Sequence, residues 1–226
     1  MSIQAWGAGP HPGEGVGIGF DAARLLAARE RSREATRRLA EQLRAGMREA
    51  EAHRLADQIF QDLGFDRVWH PTHIRFGRNT LKLYKEASDL DVVLAENDLF
   101  FIDIGPVWDG HEGDYGDTFV LGNDPAHHAI AAAARELFDV VAEHWRTGCT
   151  GQQLYAFAER AAEQRGYVLN LGAPGHRLGD FPHAVHKAGK LAAAEFAPAS
   201  GLWVLEIQLR HPILPIGAFF EDLLLA

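Results

Sequence analysis

The stretch LFFIDIGPVWDGHEGDYGDTFVLG, residues 99–122, sets carboxylates among apolar side chains. Asp103 interrupts the run Leu99-Phe100-Phe101-Ile102, and Asp114 follows eleven residues later, before the chain turns apolar again at Phe119-Val120-Leu121. Near the other end, Glu206 stands in WVLEIQL and Glu221 in GAFFEDLLL. An ionised carboxylate inside a hydrophobic strand is costly unless a cation or hydrogen bonds compensate it. Four of them on paired strands would repel one another and raise their pKa values. Two divalent ions sharing bridging carboxylates would neutralise most of that charge. A histidine completes such a set, and His176 in APGHRLG is the candidate. Imidazole within an oxygen-dominated donor set suits Mn, Fe, Co or Zn. The other acids nearby, Asp109, Glu112, Asp117 and Asp222, read as solvent-facing, and His186 and His211 read as surface residues.

The elements that must carry these residues repeat. Helical periodicity runs from Phe20 to about Ala45 and is stopped by Gly46; a second helix runs from Glu49 to Leu63 and is stopped by Gly64. Helices from Ala129 to Trp145 and from Gln152 to Gln164, stopped by Gly148 and Gly166, follow the same plan. GMREAEAHRLADQIFQDLGF (46–65) aligns with GCTGQQLYAFAERAAEQRGY (148–167), HIRFG (73–77) with GHRLG (175–179), and LFFIDI (99–104) with LWVLEI (202–207). One offset of about 102 residues thus relates two halves, each helix–helix–strand–hairpin, and two copies are too few for a solenoid. The expected architecture is α+β: an irregular arm over residues 1–19, then a single domain over 20–226 whose halves, about 20–122 and 123–226, close around one site. Each half supplies a strand with a buried acid. The glycines of GEGVGIG loosely suggest a dinucleotide loop, but no strand precedes them, which removes that reading.

Bulk properties narrow the functional classes. The chain has 226 residues, 47% hydrophobic and 23% charged, with a formal net charge of -9 and a pI near 5.7. Such a balance argues against nucleic acid and anionic membrane surfaces as partners. Cys149 is the only cysteine, so neither an internal disulfide nor a cysteine-based zinc site can form. The N-terminus lacks a basic and apolar leader pattern and no apolar run reaches spanning length, so a cytoplasmic protein is expected.

The order Asp103, Asp114, His176, Glu206, Glu221 resembles the methionine aminopeptidase/aminopeptidase P/creatinase family of pita-bread metallohydrolases. The resemblance covers roughly residues 20–226 and rests on GMREAE, WHPTHIRFG, the IDIG…GDYGDTFVLG hairpin, GHRLGDFPH, LEIQ and FFED. It implies the pita-bread fold and two divalent ions. Asp103 would chelate one ion, Asp114 and Glu221 would bridge both, and His176 with Glu206 would hold the other. It also implies a second histidine seven residues after the ligand, here His183, that hydrogen-bonds the scissile carbonyl or the oxyanion formed from it. A metal-bridging hydroxide would attack that carbonyl, with Glu206 as the proton shuttle to the leaving amine. The activity implied is removal of an N-terminal residue or cleavage of a dipeptide, such as Xaa-Pro, by a homodimer acting on a peptide or small amide.

The chain departs from the family pattern in four places. Family peptidases carry a further histidine upstream of the first aspartate, where this chain reads Tyr84-Lys85-Glu86; His70 and His73 lie further upstream and are the alternatives. Glu206 is followed by Ile207 instead of proline, the strand holding Glu221 is expected to be short, and no counterpart is expected for the separate N-terminal domain of aminopeptidase P and creatinase. These departures keep two alternatives open: a non-peptidase hydrolase of C–N bonds in a small metabolite, and a catalytically silent binding module of the same fold.

Overall fold

The structure, a computed structural model, describes residues 11–183 and 189–226. His186 therefore lies outside the described residues. Four α-helices occur among them: α1 Ala22–Ala40, α2 Glu49–Asp62, α3 Pro125–Trp145 and α4 Gly151–Gln164. Their sequences explain their limits. Asp21 caps α1 by accepting from the N–H groups of Ala23 and Arg24. Asp124 caps α3 and Pro125 fills its first turn, so this helix starts four residues before the Ala129 expected from periodicity. Thr150 and Gln153 form a reciprocal capping box on α4. Gly64 and Gly166, at φ 69° and 79°, take the left-handed conformation that ends α2 and α4. The first helix is shorter than expected: beyond Glu41 the chain folds back, burying Leu43 and bringing the Gly46 N–H to the Leu94 carbonyl at 2.8 Å.

The strands are β1 Arg67–Val68, β2 His73–Phe76, β3 Asp98–Ile104, β4 Pro106–Trp108, β5 His111–Glu112, β6 Tyr115–Leu121, β7 Val168–Leu169, β8 His176–Arg177, β9 Trp203–Arg210 and β10 Gly217–Leu223. The main sheet has the order β2-β3-β6-β10-β9-β7, with β8 also paired to β9. Strands β1, β4 and β5 form a separate small sheet at the tip of the β3–β6 hairpin. The plan α1-α2-β2-β3-β6 recurs as α3-α4-β8-β9-β10, and β10 lies between β6 and β9, joining the halves. The expected shortening of the last strand does not occur: β10 pairs with β9 over its full length, from Gly217↔Arg210 to Leu223↔Val204.

Period-two alternation divides each strand between two faces. Phe100, Ile102 and Ile104 of β3 pack with Ala52, Ala56 and Ile59 of α2. Leu205, Ile207 and Leu209 of β9 pack with Leu137 and Val141 of α3 and Leu154 of α4. Burying each such side chain contributes about 1.5–3 kcal/mol before chain entropy is counted. The helices thus cover one face of the sheet. Asp103, Glu206 and Glu221 stand on the other, one residue out of phase with the core, which is how acids come to sit inside apolar strand sequences.

Candidate metal centre and active site

Strand register places the acids on one line. Asp103 pairs with Gly116, Gly116 with Glu221, and Glu221 with Glu206. Gly116 lies between Asp103 and Glu221, and its lack of a side chain is required. A Cβ there would come within 2.5 Å of the Phe219 ring and 2.9 Å of Glu221 Oε1. Asp114 enters from the end of the β3–β6 hairpin and is 1% exposed. His176 enters from β8, its Nε2 2.9 Å from Asp114 Oδ2 and 3.7 Å from Glu206 Oε1. All five residues named from the sequence as metal ligands therefore converge on one site.

A sixth side chain joins them. His70 Nε2 lies 3.3 Å from Asp114 Oδ1 and 3.6 Å from Asp103 Oδ1. The histidine alternative further along, His73, is paired with Asp103 in the strand register but stacks edge-on against Tyr84 at 4.6 Å. Its Nε2 is buried without a hydrogen-bond partner.

Electrostatics reflect the crowding. Burial, reinforced by the neighbouring acids, pushes Asp103 up to about 6 and Glu206 up to about 7, and lifts Glu221 well above the carboxylate range. Asp114 moves the other way despite its burial, because His176 and His70 hydrogen-bond to it. Burial alone would lower both imidazoles. The Asp114 hydrogen bond and charge instead raise His176 to about 10, and the charges of Asp103 and Asp114 raise His70 to about 9.

The donor set fits cations. Glu221 Oε1 is buried with no hydrogen-bond partner, a costly condition for a carboxylate oxygen, and the buried Asp114 Oδ2 meets the ring nitrogen of His176. His176 Nδ1 is 2.8 Å from the Arg177 carbonyl. That oxygen can only accept, so the neutral ring turns the lone pair of Nε2 toward the acids, the orientation a metal ligand needs. Ligand atoms of Asp114, His176 and Glu221 lie within 4.8 Å of one another, as do those of His70, Asp103 and Asp114.

His183 stands beside this cluster, its ring 6.4 Å from that of His176 and 5.4 Å from that of Trp69. Its Nδ1 is 2.6 Å from Glu112 Oε2. Glu112 also accepts from the backbone N–H groups of His183 at 3.0 Å and Gly179 at 3.3 Å. The solvent-facing reading of the remaining acids is corrected here. Glu112 is 1% exposed, and Asp117 and Asp222 are buried. Arg135 Nε donates to Asp117 at 2.8 Å, and Arg29 binds both Asp222 oxygens at 2.5 Å. Sequence alone shows no such partners, because they lie far along the chain. Asp109 is half-exposed and pairs with Arg24, in keeping with its sequence reading. His211 accepts from two loop N–H groups.

The cluster opens into a cavity of about 730 Å³, within the ordinary range for a small-molecule site. Phe101, Phe219 and Ala173 form an apolar patch on its floor, next to Asp103 and Glu221 on the same strands. Tyr84 and Lys85, from the stretch where the family pattern has histidine, line its wall.

Comparisons with known proteins agree with this geometry. Residues 23–223 match the model of metallopeptidase family M24. A methionine aminopeptidase of Helicobacter pylori strain J99 is 32% identical over 94 residues, which is 41% of this chain and 37% of that protein. Among solved structures, an X-Pro aminopeptidase from Thermotoga maritima superposes with a TM-score of 0.72 at 20% identity, over 88% of this chain and 56% of that one. A methionine aminopeptidase from Thermotoga maritima gives 0.71 at 16% identity, over 90% and 92%. The pita-bread fold of these aminopeptidases is the fold of this chain. The aligned region thus spans well under half of the curated relative and just over half of the X-Pro aminopeptidase. Among the described residues, no helix is long and apolar enough to cross a membrane.

Proposed function

The chain belongs to metallopeptidase family M24, and from that premise we propose that it is a dinuclear metal-dependent hydrolase of the aminopeptidase type, removing an N-terminal residue or splitting a dipeptide such as Xaa-Pro. The observation that carries this reading is the line of acids from Asp103 through Glu221 to Glu206, joined by Asp114 and His176, with a buried Glu221 oxygen left unpaired. Asp103 would hold one divalent ion, His176 with Glu206 would hold the other, and Asp114 and Glu221 would serve both. Four carboxylates balance the charge of two such ions, and the oxygen-rich set with imidazole favours Mn, Fe or Co, with Zn as the further option. When bound, the ions supply an activated water and polarise the substrate carbonyl.

The protein's own groups do the rest. Glu112 fixes His183 through the ring and the backbone, leaving Nε2 for the substrate carbonyl oxygen or the oxyanion formed from it. Glu206, at the edge of the cluster, passes a proton to the leaving amine. The Phe101–Phe219 patch seats an apolar side chain of the residue to be released. The same proposal extends to a cytoplasmic homodimer, for which the exposed Ile213-Leu214 pair offers an apolar contact.

Metal analysis together with hydrolysis of Xaa-Pro dipeptides, Met-Ala-Ser peptides and N-substituted amides tests this. The expected result is about two ions per chain and cleavage of a peptide. Metal-loaded protein that leaves every peptide intact refutes it. Tyr84 and Lys85 on the cavity wall favour one second reading, a C–N hydrolase of a small metabolite. That reading predicts turnover of the amides alone.

A further inference from the structure

We propose that His70 is a nitrogen ligand of the ion held by Asp103 and Asp114, so that the centre carries an imidazole on each side. The inference rests on the dinuclear reading above and adds a residue to it. Three independent features of the structure support it.

The first is convergence. His70 Nε2 lies 3.3 Å from Asp114 Oδ1 and 3.6 Å from Asp103 Oδ1, and one ligand atom from each of the three residues falls within a 4.8 Å span. A single cation can therefore touch all three after small side-chain adjustments.

The second is the fixed tautomer. His70 Nδ1 is 2.9 Å from the Pro71 carbonyl oxygen. A carbonyl accepts only, so in the neutral ring Nδ1 holds the hydrogen and Nε2 presents its lone pair to the acids. His176 is held the same way by the Arg177 carbonyl. Two histidines on opposite sides of Asp114 thus share one arrangement, a backbone carbonyl behind and carboxylates in front, which is how ligating imidazoles are oriented.

The third is that the surrounding chain is built to keep the ring there. A Cβ on Gly105 would lie 2.0 Å from His70 Cδ2 and 2.2 Å from Nε2. The ring occupies the space that any other residue at position 105 would fill. Trp69 locks the segment to the hairpin: its backbone N–H donates to the Gly105 carbonyl at 2.8 Å, and its indole N–H donates to the Gly113 carbonyl at 3.1 Å. The indole also meets the His70 ring edge-on at 4.6 Å. His73 shows none of this: its ring turns to Tyr84, and it belongs to neither of the metal-holding groups found among the described residues.

The test is Co(II) loading of the full chain. Proton NMR in water of the Co(II) form reads ligating imidazole N–H groups as exchangeable, strongly shifted signals. Two are expected, one from each ring, and His70→Gln should remove one of them. Calorimetric titration of that variant with Co(II) should show one site weakened about tenfold or more and the other unchanged. A single shifted signal in the unaltered protein overturns the proposal, and so do two signals and unchanged affinities in His70→Gln. If the variant fails to fold, the signal count in the unaltered protein decides alone. Failure of the unaltered protein to bind Co(II) overturns the dinuclear reading as well, which separates the two outcomes.

Discussion

Glu112→Ala is the substitution whose cost the structure defines best. The carboxylate is 1% exposed and receives three donors: His183 Nδ1 at 2.6 Å, the His183 N–H at 3.0 Å and the Gly179 N–H at 3.3 Å. Truncation leaves all three without their acceptor. Each orphaned buried donor costs about 1–3 kcal/mol. Because the adjoining cavity can admit water to the vacated space, the lower end applies to each, giving about 3 kcal/mol in total. For a domain of this size, 1 kcal/mol corresponds to roughly 2–4 °C in Tm, so the midpoint should fall by about 6–12 °C. Glu112→Gln keeps one acceptor oxygen and should lose about half as much. Scanning calorimetry of the three proteins at one metal concentration measures this directly. Metal content should stay the same in both variants while turnover falls with the lost orientation of His183. A Tm change below about 2 °C in Glu112→Ala would show that these hydrogen bonds do not hold the His183 segment, and the argument for its positioning would go with them.

Asp114→Asn and Glu221→Gln should each abolish binding of the ion pair, read by elemental analysis after dialysis; retention of two ions would remove these residues from the bridging role. His183→Ala should retain metal and lower turnover about 100-fold or more, as loss of one oxyanion donor does, and a normal rate would exclude that role. Gly105→Ala should cost about 1–3 kcal/mol by overpacking, because the new methyl meets His70 and comes within 2.8 Å of Trp69 Nε1. It should also weaken one metal site, and calorimetry with Co(II) checks both effects.

Much of this molecule is legible in its sequence because the signals are local and repeated. Glycine-stopped helices of equal spacing gave away the duplication, and the structure returns it as α1-α2-β2-β3-β6 and α3-α4-β8-β9-β10. Asp103, Glu206 and Glu221 stood out because each breaks an apolar run, and strand alternation then forces them onto the face opposite the helices. What stayed hidden depends on partners distant in the chain. Glu112 looks like any acid in a glycine-rich turn, yet the segment that buries it begins at Gly179. Asp222 follows Glu221 and points the opposite way, toward Arg29 across 193 positions. The sequence offers His70 only beside His73 as an alternative to the upstream histidine; its closeness to Asp114 depends on a loop docked by Trp69, with the ring lying over Gly105.

The position of β10 has a consequence for how this protein is made. Of the strands in the main sheet it is translated last, yet it takes a central place, hydrogen-bonded to β6 on one side and β9 on the other. A nascent chain that lacks it therefore carries two half-sheets with open, apolar edges, the kind of surface that recruits other chains. Folding must wait for a long-range insertion, which makes it slow for its size, and chaperone demand should peak just before β10 emerges.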